Sequence, residues 1–126
     1  MITDWNNLFK IRIANSDKSF QKHEVVKLLV VMKILNQYRN KSWIRVYTEF
    51  KLNGMTPDIY FENIRTKSVV CYEIQKNFSK TWLKKKTEQY NNYEIPYFTL
   101  DFIPIQLKKL SSDIVELNKQ LDEFIF

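Results

Sequence analysis

The sequence predicts an α/β domain, a mixed four-stranded sheet flanked by helices in the order α-β-β-β-α-β-α. Three observations predict it. A long stretch with apolar residues at helical spacing is followed by three short β-branched and aromatic segments. A further helical stretch then separates the third of these from a fourth, which suits a crossover to another strand of the same sheet. One glycine and three prolines in 126 residues argue against a sandwich or barrel full of turns.

The elements follow in order. Ser16-Asp17-Lys18-Ser19 can start a helix and the polar stretch Asn36 to Ser42 can stop it, so residues 20–39 read as the first helix. Residues 43–50, Trp43 to Phe50, read as the first strand. Asn53-Gly54 marks a turn. Thr56 to Glu62 is the second strand, Asn63 to Lys67 a polar turn, and Ser68 to Gln75 the third strand, with the apolar centre Val69-Val70-Cys71-Tyr72. Ser79 can cap a helix running to about Tyr93. After Pro96, Tyr97 to Ile103 is the fourth strand, and a last helix runs from Ile105 to the end. Trp5, Phe9 and Ile11, ahead of the first helix, are expected to cover the sheet or a partner.

A chain of this length fits one domain over residues 1–126 and can bury a core without disulfides. Hydrophobic residues make up 44% and aromatics 15%, so disorder is not expected. The single cysteine, Cys71, fits a reducing compartment and reads as a small buried hydrophobe. The N-terminus shows no signal-peptide pattern. Val25 to Leu35 is too short and too interrupted by Lys27 and Lys33 to span a bilayer. The expectation is a soluble intracellular protein with no membrane partner, of the cytoplasm or, for a viral or plasmid gene, of the host cell.

The net charge of +6 is unevenly spread. Residues 111–126 carry Asp113, Glu116, Asp122 and Glu123 against Lys119, a net of −3, which leaves +9 on the rest. Lys76, Lys80, Lys84, Lys85 and Lys86 follow one another with no acid between them. Such a run is ordinarily a solvated face. Phe78 and Trp82 among these lysines suit a helix packed on one side and basic on the other. A basic surface of this kind attracts a polyanion.

Three acids stand where acids are costly. Asp58 follows Pro57 at a strand otherwise made of Ile59, Tyr60 and Phe61. Glu73 ends the most apolar strand of the chain. A buried acid must be paired, protonated or bound to a metal. On the two strands of a hairpin these two could lie side by side, and a divalent cation is the natural remedy for their repulsion. Glu24 projects among Leu28, Val31 and Leu35, away from the polar side holding Lys22, Lys33, Asn36, Gln37 and Asn40. Its simpler reading is a first-turn acid favoured by the helix dipole. Gln75 shares the strand face of Glu73, while Lys76 turns to the other face unless a bulge or the strand end returns it.

Thr56-Pro57-Asp58, followed fifteen residues on by Glu73-Ile74-Gln75-Lys76, resembles the PD-(D/E)XK nuclease superfamily. The resemblance extends over roughly residues 20–103, with a preceding helix, a hairpin, a basic helix and a further strand. It implies a restriction-endonuclease-like core, α-β-β-β-α-β, with an extra C-terminal helix. It also implies that Asp58, Glu73 and the carbonyl of Ile74 bind Mg²⁺ or Mn²⁺, with Glu24 as the helix carboxylate. The implied activity is metal-dependent hydrolysis of DNA phosphodiesters, structure-selective as small stand-alone members often are. The lysine expected two residues after the second acid is Gln75 here. Either Lys76, or Lys80 or Lys84 of the next helix, replaces it, or the site is weakened. Gln89-Tyr90 is similar to a Gln and Tyr of related exonucleases, at a different spacing.

Two rival readings stand beside the nuclease. One is a nuclease fold with weak or lost catalysis that binds nucleic acid, and the other a protein-interaction subunit with an unused cleft. Gln75 favours the rivals, and the three acids favour the enzyme. DNA contact is expected from Lys80, Lys84, Lys85 and Lys86. His23 reads as a solvated or capping residue. No Cys/His spacing suits zinc, and no Gly-rich phosphate loop is present. Leu110, Ile114, Leu117, Leu121 and Phe124 form a heptad-like seam that suggests a homodimer through the C-terminal helix, although a helix packed on its own core shows the same stripe.

Overall fold

The computed structural model describes residues 18–126. Its elements are α1 (Lys18–Gln37), β1 (Ile44–Thr48), β2 (Ile59–Asn63), β3 (Ser68–Gln75), α2 (Lys80–Asn91), β4 (Thr99–Gln106) and α3 (Ile114–Gln120). A 3₁₀ turn, Leu107–Lys109, follows β4, and another, Leu121–Phe124, follows α3. The strands form one mixed sheet in the order β1-β2-β3-β4, antiparallel except for the parallel pair β3–β4. The α2 crossover supplies the length a parallel connection needs.

Alternation along β2 and β3 divides the apolar side chains between two faces. Ile59, Phe61, Tyr72 and Ile74 pack with Val26, Val30, Val31 and Ile34 of α1 and with Leu117 and Leu121 of the C-terminal segment. Tyr60, Val69 and Cys71 pack with Tyr90 of α2 and Phe102 of β4. Tyr90 stacks on Phe102 at 4.7 Å between ring centroids. The sheet is therefore covered by α1 and the C-terminal segment on one side and by α2 on the other. Ser79 caps α2, its side chain accepting the N–H of Trp82 at 3.1 Å. Gly54 has a positive φ of 82° at the predicted turn, which the Leu52–Met55 bridge closes. Cys71 is fully buried.

Several expectations are corrected. The second strand begins at Ile59 rather than Thr56, so Asp58 stands just ahead of it. The fourth strand does not stop at Ile103 but runs through Pro104 to Gln106. It is an edge strand, where a proline can face its missing N–H away from the ladder. The single helix expected from Ile105 onward is instead strand, turn, α3 and turn. On α1, Leu28 and Leu35 are exposed rather than core, at 39% and 44%. The buried stripe runs one position round, through Val26, Lys27, Val30, Val31 and Ile34. In the heptad-like seam Leu117 and Leu121 are buried in the chain's own core, whereas Ile114 is exposed. The helix start at Ser16-Asp17 and the aromatic residues near the N-terminus lie outside the described residues. Among the described residues, no helix is long and apolar enough to cross a membrane.

Candidate functional site

Asp58 is fixed first by its backbone, whose carbonyl accepts the N–H of Glu49 at 3.0 Å as the β1–β2 connection closes. Its carboxylate then reaches across to β3. Oδ2 accepts the N–H of Ile74 at 2.7 Å, and Oδ1 lies 3.3 Å from Nε2 of His23. Continuing the β2–β3 register one step beyond Ile59–Tyr72 sets Asp58 opposite Glu73. The backbones of the two acids thus lie opposite each other at one end of the hairpin.

The other ring nitrogen of His23, Nδ1, lies 3.0 Å from Oε2 of Glu24. The same oxygen is 2.7 Å from Nζ of Lys27, three residues along α1. Glu24 and Lys27 are both buried, at 2% and 1% exposure. Glu24 lies beyond the first turn of α1, since residues 18–23 ahead of it are already helical. The helix dipole, which acts over the first turn, does not account for it. The expectation that Glu24 faces inward holds. His23 is not the solvated residue expected, because it joins two carboxylates. Burial lowers the pKa of His23, but the hydrogen bond and charge of Asp58, joined by those of Glu24, outweigh burial and hold it above the ordinary histidine value.

Glu73 is 5% exposed and faces the α2 side of the sheet. Its Oε2 accepts the hydroxyl of Tyr90 at 2.7 Å and lies 3.3 Å from Nζ of Lys86. The Tyr90 hydroxyl is pushed far up, first by burial, then by its bond to Glu73 and the charge of Glu73, with a smaller share from Asp58. It therefore remains a donor at any ordinary pH. Asp58 takes its side-chain partner from α1 and Glu73 takes both of its partners from α2, so the site sits where both helical layers meet the end of the sheet. Three carboxylates stand against two lysines and one histidine.

The remaining expected residues fall in three places. Gln75 is half-buried at the last position of β3. Lys76 is exposed just beyond it, its carbonyl accepting the N–H of Lys108 at 3.0 Å. The ion pairs of the described residues give Glu73 to Lys86 and Glu24 to Lys27, not to Lys76. Lys80, Lys84 and Lys85 are exposed on α2, opposite Trp82 and Tyr90, while Lys86 turns in toward Glu73.

Lys27, His23, Lys86 and Tyr90 are the site residues that sequence reasoning missed or set aside. Lys27 had a signal: a lysine within an apolar run, three residues after an inward acid, is placed to pair with it. Tyr90 was noted only with Gln89 in the family resemblance and Lys86 only as a DNA contact; their pairing with Glu73 had no local signal, because that partner is seventeen and thirteen residues away on another element.

The donor set suits a hard divalent cation. Mg²⁺ is commonly held by one or two carboxylates and keeps several waters. Asp58 and Glu73 would supply the carboxylates, with the carbonyl of Ile74 beside them. Both side-chain bonds to Glu73 fall on Oε2, which leaves Oε1 for a further ligand. Among the described residues, no group of three or more His, Cys, Asp or Glu side chains is arranged to hold a metal. Comparison of the chain with protein-family models, with curated proteins and with solved structures finds no match.

Proposed function

We propose that this chain is a metal-dependent DNA nuclease of the PD-(D/E)XK type, with a restriction-endonuclease-like core and with Asp58 and Glu73 as its metal-binding acids. The observation that carries the reading is the 2.7 Å bond from Ile74 N–H to Asp58, which ties the first acid to the residue after the second. A bound Mg²⁺ or Mn²⁺ would polarise a phosphodiester and lower the pKa of a water molecule. The chain's own groups orient that site. Tyr90 fixes the Glu73 carboxylate, His23 links Asp58 to Glu24, and Lys27 balances the charge of Glu24. Lys86 takes the charge-balancing role of the missing motif lysine, because it is the lysine beside Glu73. This assignment replaces Lys76, Lys80 and Lys84. The outward Lys80, Lys84 and Lys85 hold the DNA backbone.

Cleavage of linear, nicked, single-stranded and four-way-junction DNA with Mg²⁺ or Mn²⁺ tests the reading. Asp58→Ala is expected to abolish cleavage and calorimetric metal binding together. Lys86→Ala is expected to lower the cleavage rate at least about 100-fold, the usual scale for a lost charge-stabilising group. Gln75→Lys on that background should restore part of it. If neither the parent nor Gln75→Lys cuts any of these substrates, the enzyme reading is lost.

One observation favours a second reading, a nuclease fold that binds nucleic acid without cutting it. Each acid already has a partner of the chain's own: His23 for Asp58, Lys27 for Glu24, Lys86 for Glu73. DNA binding that survives without metal and without cleavage would select it.

A further inference from the structure

We propose that a lysine-lined cavity beyond the ends of β3 and β4 binds backbone phosphates of the nucleic-acid strand, outside the carboxylate site. The cavity has a volume of about 470 Å³. Its walls include Lys18 and Lys22 of α1, Lys76 and Asn77 after β3, Lys108 after β4, and Ser112. Four lysines and no carboxylate line it among the described residues.

Topology explains why these lysines converge. β3 and β4 are the parallel pair, so their C-terminal ends open at the same edge, with Lys76 directly after β3 and Lys108 in the turn that follows β4. In open α/β sheets, ligands bind outside the carboxyl ends of the strands. The bond from Lys108 N–H to the Lys76 carbonyl keeps the two exits together. α1 brings Lys18 and Lys22 to the same place. Lys22 is partly committed, since its Nζ donates to the carbonyl of Leu110 at 2.6 Å. Lys18, Lys76 and Lys108 make no ion pair among the described residues.

The distance to the carboxylates fits one continuous strand. Lys18 precedes Glu24 by six residues of helix, about 9 Å at 1.5 Å per residue. Lys76 follows Glu73 by three residues, about 10 Å at strand spacing. Two independent elements thus place the cavity at about the same distance from the acids. A stacked strand covers that distance in about three nucleotides at 3.4 Å each.

The inference rests on the chain being a nucleic-acid-binding protein, and not on its catalysis. It is tested by binding alone, with metal removed by EDTA. A short single-stranded oligonucleotide is titrated with the full chain at several salt concentrations. The cavity variant Lys76→Ala, Lys108→Ala is compared with Lys41→Ala, Lys51→Ala, an exposed pair elsewhere that removes the same charge. The cavity variant should bind at least about tenfold more weakly at low salt. Its slope of log affinity on log salt should be flatter by about 1.4, or 0.7 for each of two phosphates no longer neutralised on a single strand. Lys76→Arg, Lys108→Arg should keep the parental slope. Equal losses in the cavity and control variants would overturn the proposal, because net charge alone would then explain both. Binding of tripolyphosphate at this cavity without any effect of the variant on the oligonucleotide would overturn it too, in favour of a free polyphosphate ligand. A parent that cuts DNA yet shows equal losses keeps the nuclease reading and loses the cavity. A parent that shows the cavity effect but never cuts does the reverse.

Discussion

At the scale of single residues, the buried pair Glu24–Lys27 sets the strongest demand. Both side chains are almost fully enclosed, and they approach to 2.7 Å. Two charges taken from water gain little overall when they pair, but removing one leaves the other uncompensated, at about 3–5 kcal/mol. His23 also touches Glu24 and offsets part of that loss. Lys27→Met is therefore expected to destabilise the chain by about 3 kcal/mol, the lower end of that range. Lys27→Met with Glu24→Gln should recover most of it, since no charge is then stranded. Urea midpoints of the two single variants and the double variant measure the coupling. A loss below about 0.5 kcal/mol for Lys27→Met, the scale of an ordinary surface change, would mean that the other partners of Glu24, His23 among them, suffice without Lys27. The pair matters for function because Glu24, through His23, is linked to Asp58.

At the scale of elements, β3 joins the two sides of the molecule. It lies between β2 and β4, and its alternate residues face α1 and α2. Cys71 at its centre is fully buried, and burial, with a smaller share from the charge of Glu73, pushes its thiol up to about 12. The thiolate is the reactive form, so the folded chain should leave Cys71 unlabelled by a thiol reagent at pH 8. Labelling should appear only across the unfolding transition in urea, because a central strand opens with the whole fold. Labelling well before the loss of circular dichroism would show that the sheet opens locally. β3 was also the element most legible in the sequence, with both ends placed correctly, because its apolar run is bounded by polar turns. Asp58 and Glu73 were legible for the same reason, as acids against an apolar pattern. The end of β4 was not legible, because Pro104 reads as a stop when the strand's edge position is unknown. The contacts of Lys86 and Tyr90 with Glu73 were not legible either, since nothing in local spacing says which strand residue α2 will meet.

At the scale of the whole molecule, the C-terminal segment closes the fold over α1. Leu117 and Leu121 enter the core beside Ile34 and Tyr72. The Tyr72 hydroxyl donates to the carbonyl of Phe124 at 2.8 Å, Tyr38 donates to that of Phe126 at 2.9 Å, and Lys33 pairs with Asp122. The heptad-like seam that suggested a second chain thus has an explanation within one chain. The two accounts differ in what they require of Leu121 and Ile114. If the seam is core, Leu121→Ala should lower stability by about 2–5 kcal/mol, the usual range for a buried leucine. Ile114→Ala, at a residue 52% exposed, should then change it by less than about 0.5 kcal/mol. The unfolding midpoint of the parent should not move with protein concentration. If the seam is an interface between two chains, the midpoint must rise with concentration, since association stabilises by mass action. Ile114→Ala would then weaken the assembly along with Leu121→Ala, and light scattering on the parent would give twice the chain mass. Urea unfolding at two widely separated protein concentrations, with scattering at the higher one, separates the two accounts. The burial of Leu121 at 0% against the exposure of Ile114 on the same seam favours the first.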